Sequence, residues 1–266
     1  MTKRVDIIRK IYERLQRTGR GLWIVLLLLA FCWSFYFQFS MVETGGNVYN
    51  DVRPLPIYSV DTEEKVVAIT FDSAWNIDDL DDILGILEKN QIKCTFFMTG
   101  DWIGKYPDAV KKIYKAGHDV ANHGESHKNM SALSENQCRE EIQKVHNRVY
   151  ELLGIEMNLF RPPSGDYDDE VITVAREMGY EPVQWDIDSL DWKNYGIDNM
   201  VDRVVNSKKL KNGSIILLHN GTKYTASALQ KIIDGLRNKG YGFAPVSELI
   251  YRENYTIDNE GRQHIQ

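Results

Sequence analysis

The stretch KCTFFMTGDWIGKYPDAVKKIYKAGHDVANHGESH, residues 93–127, decides the fold. Lys93–Thr99 is a short apolar run that predicts a strand, Tyr106–Ala116 is amphipathic and predicts a helix, and His118–Ala121 returns to a short strand. Strand, helix and strand in this order make a parallel pair joined by a right-handed crossover. The stretch then ends on His123 and His127, two imidazoles four residues apart just after a strand. That spacing lets both face one point, and neutral imidazole is the commonest side-chain ligand of a divalent transition metal. Taken alone, the pair reads equally well as a polar surface or a hydrogen-bonded loop.

The same alternation continues on both sides. Val66–Phe71 reads as a strand and Asp78–Asn90 as a helix before it. After it come a long helix at Glu135–Leu153, a strand at Leu159–Phe160 and a helix at Asp169–Met178. A strand at Glu181–Trp185, a helix at Met200–Lys208, a strand at Ser214–Leu218, a helix at Thr225–Lys239 and a last strand at Gly242–Pro245 complete the pattern. The expected fold class is therefore α/β, with a parallel sheet that closes into a barrel rather than staying open. In such barrels chemistry collects where strands end.

The polar clusters fall at those ends. They are Phe71-Asp72-Ser73-Ala74-Trp75, the histidine pair, Arg161-Pro162-Pro163-Ser164-Gly165, Asp188-Ser189-Leu190-Asp191-Trp192 and Leu217-Leu218-His219-Asn220. Each has an ordinary structural reading: a helix cap, a surface ion pair, a turn, a core aromatic, a satisfied core histidine. An acid, paired imidazoles, an arginine, an acid with an aromatic and a third imidazole at successive strand ends point jointly to one site.

Ahead of the barrel, residues 1–20 carry seven Lys or Arg against Asp6 and Glu13, whereas the whole chain has a net charge of −6. The body is thus acidic, which argues against a nucleic-acid partner. Gly21 to Phe39 is nearly uninterrupted apolar sequence, long enough to cross about 30 Å of hydrocarbon. The basic arm before it predicts a single-pass membrane helix with a cytoplasmic N-terminus, bilayer lipid around 21–39, and everything after about residue 40 outside the cell. Residues 40–60, with Gly45-Gly46, Pro54 and Pro56, read as a linker, and 251–266 as a polar tail. Cys32, Cys94 and Cys138 fall in unrelated segments and are expected to be free.

Taken in order, the five clusters resemble the motifs of the polysaccharide deacetylases of carbohydrate esterase family 4, the NodB-homology domain, in its membrane-anchored bacterial type. The resemblance covers about residues 61–250 and implies a distorted (β/α) barrel of the NodB-homology type there. It implies metal-dependent removal of acetyl groups from N-acetylated sugars, with zinc as the expected ion and cobalt or nickel as alternatives. It gives Asp72 the part of catalytic base, Arg161 that of holding the base, and His123 and His127 those of metal ligands. Asp191 and Trp192 match the acid and aromatic of the fourth motif, Leu217 the acetyl-pocket leucine, and His219 the catalytic acid. Two positions depart from the pattern. Ser73 stands where the family usually has a metal-binding acid, and Gly124 where it usually has a hydroxyl residue. Asp78 and Asp79 follow within a turn, and Asp79 is the preferred substitute ligand.

The chemistry stands beside the resemblance. Amide hydrolysis needs a base for water, a stabilised oxyanion and an acid for the leaving nitrogen. Asp72 is expected to take the proton, the Ser164 N–H to help hold the oxyanion, and His219, kept charged by Asp191, to protonate the amine. An N-acetylated glycan, peptidoglycan before others, is the expected substrate. Two other classes remain open at this point: an impaired wall-glycan-binding protein on the same fold, and an O-acetyl polysaccharide esterase.

Overall fold

The computed structural model describes residues 53–266, with Arg9, Lys10 and Glu13 before them. The expected membrane helix at 21–39, nearly all of the basic arm and residues 40–52 of the expected linker lie outside the described residues. Among the described residues no helix is long and apolar enough to cross a membrane.

In chain order the strands are β1 (Ser59–Val60), β2 (Val66–Ser73), β3 (Thr95–Met98), β4 (Asp119–Asn122), β5 (Leu159–Phe160), β6 (Glu181–Pro182), β7 (Ile187–Asp188), β8 (Ile215–His219), β9 (Gly242–Phe243), β10 (Tyr255–Ile257) and β11 (Arg262–Ile265). The helices are α1 (Leu80–Lys89), α2 (Gly100–Lys105), α3 (Pro107–Lys115), α4 (Glu135–Leu153), α5 (Asp169–Glu177), α6 (Ile197–Val205), α7 (Thr225–Asn238) and α8 (Val246–Leu249).

Side chains on β2 alternate between two layers. Val67, Ile69 and Phe71 pack with Leu80, Ile83 and Leu87 of α1 beneath the helices, while Ala68 joins Phe97, Ala121, Leu159, Val183 and Ile215 inside the barrel. Period two follows from the pleat and puts Thr70 and Asp72 on the inner side with Ala68. The main sheet runs β6-β5-β4-β3-β2-β8-β7, with β9 also on β2, and its pairings are parallel. Its end strands β6 and β7 are neighbours in sequence but do not pair, so the expected distorted barrel is an incomplete one. Ile57 bridges to Val183 in that region, and the Gln184 N–H donates to the Ile57 carbonyl at 2.7 Å.

The longest helix illustrates how sequence sets an element. In α4 the Ser134 N–H donates to Gln137 Oε1 at 3.0 Å, satisfying one orphan group at the start, and the chain leaves through Gly154 at φ +70°. Cys138, Ile142, Val145 and Val149 form its buried stripe. Burying each Ile or Val is worth about 1.5–3 kcal/mol relative to exposure. Cys94 and Cys138 are both buried and free.

Several elements differ from expectation. The strand expected at Glu181–Trp185 is only two residues long, because the chain leaves the ladder after Pro182 and the following residues bind β1's approach and Arg161 instead. Helix α2 was not legible: it has six residues, begins on glycine and is started by Thr99, whose Oγ1 accepts the Trp102 N–H at 3.2 Å. The stretch expected as a polar tail carries β10 and β11. They pair antiparallel with each other, and β11 lies parallel to β1, so the end of the expected linker and the tail make a second small sheet. His264 fastens it, with Nδ1 3.0 Å from Asp61 Oδ2 and Nε2 3.0 Å from Asp258 Oδ2. The Asp258 hydrogen bond is the largest influence on His264 and, with Asp61, holds its pKa above the ordinary value.

Candidate active site

Register brings the first pair of reacting groups together. Asp72 on β2 is the Cα partner of His219 on β8, so the two side chains stand on adjacent strands at the same end of the sheet. Asp72 is buried, and Arg161 Nη1 donates to its Oδ1 at 2.6 Å. The rest of the guanidinium is used as well: Nη1 donates to Thr70 Oγ1 at 2.9 Å, Nη2 to the Gln184 carbonyl at 3.0 Å, and the group lies 3.9 Å from the Phe97 ring centroid. Burial alone would raise the Asp72 pKa, but the Arg161 charge, with His219 adding to it, outweighs burial and the net shift is downward. Asp72 is therefore a buried anion kept ionised by its cationic neighbour Arg161.

The opposite state is built at His219. Its Nδ1 is 2.7 Å from Asp191 Oδ1, its backbone N–H donates to Asp191 Oδ2 at 2.6 Å, and Thr225 Oγ1 donates to the same oxygen at 2.7 Å. Asp191 is fully buried. Burial works against a charged His219, yet the Asp191 hydrogen bond and the charges of Asp191, Asp72 and Asp188 raise its pKa above the ordinary value. An ionised acid and a protonatable imidazole thus face one another across a ladder, the arrangement that acid and base catalysis requires.

The histidine loop is shaped by its backbone. Gly124 has φ +73°, and a Cβ there would stand 3.3 Å from Pro163 Cγ, which accounts for glycine where a hydroxyl residue was expected. His127 has φ +54°, unusual for a side-chain-bearing residue, and the residues on either side of it are tied to one buried carboxylate: Glu141 on α4 accepts from Ser126 N and Oγ and from Lys128 Nζ, the last at 2.9 Å. Nothing in the sequence signalled this clamp, because its partners lie up to 15 residues apart. His123 is buried, its Nδ1 is 2.8 Å from the Arg161 carbonyl, and burial lowers its pKa to about 4. The neutral ring donates from Nδ1, so Nε2 presents a lone pair 3.4 Å from Asp72 Oδ2.

The third ligand expected at Asp79 is not there. Asp79 precedes α1, its Oδ1 accepts the Gly221 N–H at 2.6 Å, and burial raises its pKa, with Asp191 and Asp78 adding to the rise. Closeness in sequence misplaced it: the turn after β2 runs toward the loop beyond β8, not toward the histidines. Ser73 does not supply the missing group either. Alternation sets it with Phe71 and Ile69, and its hydroxyl is buried with no hydrogen-bond partner. Among the described residues no three His, Cys, Asp or Glu side chains are grouped to hold a metal ion. The donors present, two imidazoles beside Asp72, do not fit the three-ligand centre typical of catalytic zinc.

These groups border a cleft of about 340 Å³. Of the residues singled out from sequence, Asp72, His127, Ser164, Trp192, Leu217 and His219 line it, while Arg161, Asp191 and His123 are buried and act through their contacts. Ser164 sits in a tight turn at φ +56°. Sequence reading gave no role to four further lining residues, Ala74, Trp75, Trp185 and Asp188. Asp188 is the register partner of Leu217 and was quoted only as part of a cluster.

Comparison with known proteins agrees with this geometry. The polysaccharide deacetylase family matches residues 59–183. A peptidoglycan-N-acetylglucosamine deacetylase of Bacillus cereus is 36% identical over 198 residues, 73% of this chain and 92% of that one. The chain belongs to the polysaccharide deacetylase family. Relatives named as peptidoglycan deacetylases hydrolyse acetyl amides, and the parallel α/β fold around β2 is the family's NodB-type half-barrel. The uncharacterized protein YlxY of Bacillus subtilis is 34% identical over 212 residues; the match takes in 80% of this chain but 65% of that relative, just under two thirds. Among solved structures, a wild-type pseudoenzyme of carbohydrate esterase family 4 from Bacillus anthracis superposes with a TM-score of 0.71 at 32% identity, over 81% of this chain and 75% of that one. A mutant of that pseudoenzyme is described as having restored enzymatic activity. Within the polysaccharide deacetylase family, then, the fold occurs both with and without turnover.

Proposed function

We propose that this chain hydrolyses the N-acetyl group of an amino-sugar polymer, with peptidoglycan as the substrate. The observation that carries the reading is the pairing of Arg161-held Asp72 with Asp191-held His219 on adjacent strands of one cleft. Asp72, ionised, takes a proton from the attacking water. His219, protonated at the start, gives a proton to the departing nitrogen, and Asp191 keeps the ring oriented and charged. The Ser164 N–H is the reading's candidate for the developing oxyanion. The peptidoglycan deacetylases among the relatives support the choice of polymer. Purified full chain, assayed with and without added zinc, should release acetate from peptidoglycan and from N-acetylglucosamine oligomers but not from an O-acetylated glycan of matched length. Acetate from the O-acetylated glycan alone points to an esterase.

A second reading is favoured by one observation, the absence of a third metal ligand at Ser73 and Asp79. On that reading the chain binds wall glycan without turning it over. Glycan binding with no acetate release, together with a chain that retains no metal after dialysis, is its signature.

His219→Ala should lower turnover by about two decades, the usual scale for a lost general acid, with the fold unchanged by circular dichroism. Since the His219 pKa is raised and its protonated form does the work, wild-type activity should fall as pH rises through that raised value. Activity within a few-fold of wild type would return His219 to a packing role.

The reading also places the catalytic part outside the cell, tethered through 21–39 with residues 1–20 in the cytoplasm. Protease added to intact cells should remove the part after residue 40. Protection of that part, or a mature chain lacking the first 40 residues, contradicts the tether.

A further inference from the structure

Trp75 has two faces in different surroundings. One stacks on the His219 ring, with centroids 4.9 Å apart and planes 27° from parallel. The side chain nevertheless remains 46% exposed, on the rim of the cleft. Single exposed aromatics are ordinary on protein surfaces. The distribution here is not: of the four tryptophans among the described residues, Trp102 is in the core and the other three line this one cleft. Trp192, across the rim, is 47% exposed.

The turn that carries Trp75 is held in place. The Asn220 side chain donates to the Asn76 carbonyl at 2.8 Å, Asn76 Oδ1 accepts the Asp78 N–H at 3.0 Å, and Gly221 lies so close that a Cβ there would be 2.8 Å from the Asn76 carbonyl oxygen. A large flat ring is thus kept at the mouth of the site with little freedom to fold away. Rigid, preorganised aromatics bind with less entropic loss than mobile ones.

We propose that Trp75 is a two-sided binding residue: one indole face seats the His219 imidazole, and the other receives the apolar C–H face of a pyranose ring of the glycan chain. A pyranose has a flat hydrocarbon face edged by hydroxyl and acetamido groups, which suits an indole beside the polar side chains of Asp188 and Ser164 in the same cleft. The stacked indole also favours a charged imidazole by its ring quadrupole. This inference rests on the glycan reading of the cleft but not on turnover.

Calorimetric titration of the full chain in detergent with the N-acetylglucosamine tetramer tests it, alongside Trp75→Ala, Trp75→Phe and Trp75→Leu. Trp75→Ala and Trp75→Leu should weaken binding about tenfold or more, and Trp75→Phe, which keeps a flat face, should stay within about threefold. Melting temperatures should not move, since the side chain is half exposed. Equal binding by wild type and Trp75→Ala, equal binding by Trp75→Leu and Trp75→Phe, or no binding by wild type overturns the proposal. A Trp75-dependent affinity with no acetate release sinks the hydrolase reading and leaves this one standing. Acetate release with binding indifferent to Trp75 does the reverse.

Discussion

Asp72→Asn should reduce acetate release by about 10²–10⁴-fold while the protein remains folded. The substitution is nearly isosteric, and the amide oxygen can still accept from Arg161 Nη1, which now reaches Oδ1 at 2.6 Å. What disappears is the basic oxygen facing His123 and the cleft. Asn has no useful affinity for a proton, so water is no longer activated from this side. Stability should fall as well, since the buried guanidinium loses its counter-ion, but Thr70 Oγ1, the Gln184 carbonyl and the Phe97 ring still hold it in place. The measurement is acetate release from peptidoglycan, with a melting curve of the same sample. Loss within a few-fold would mean that Asp72 serves only to neutralise Arg161.

Removing the other partner should hurt the fold itself. Arg161→Ala leaves a buried carboxylate without its counter-ion and strips donors from Thr70 and Gln184, so the expected cost is about 3–5 kcal/mol. The site should also change its response to pH. The depressed pKa of Asp72 depends chiefly on opposing burial with the Arg161 charge. Without that charge the carboxyl stays protonated to higher pH, and the acid limb of the activity profile moves upward. Arg161→Lys, the milder variant if the alanine form does not fold, restores a charge but not the fork of donors, and should give a smaller shift in the same direction. Melting temperature and a pH–rate profile decide the matter. An unmoved acid limb in a folded variant contradicts the assigned role of Arg161.

How much of this could be read from sequence differs by element and has physical reasons. The parallel strands β2, β3, β4 and β8 were legible because each is a buried apolar run bounded by turn residues, and alternation with helices leaves few topologies. Short strands such as β7, β10 and β11 were not, because two to four half-exposed residues leave no periodic signal. The polar residues at strand ends gave away the site, but not which of them would touch. That Asp72 stands beside His219 follows from β8 pairing with β2, a fact of sheet order that linear spacing does not encode. Asp79 shows the opposite hazard. It lies seven positions after Asp72, yet the intervening turn carries it to Gly221 and away from His123 and His127. Glu141 and Trp75 were missed for a third reason: each acquires meaning only from what the fold packs against it.

The deciding measurement is acetate release from purified peptidoglycan by the full chain, with and without added zinc, beside Asp72→Asn and His219→Ala. The wild type should release acetate and either variant at least about a hundredfold less, each still folded. Acetate at the level of the blank from the wild type, or equal release from all three proteins, would contradict the proposed hydrolysis at this site.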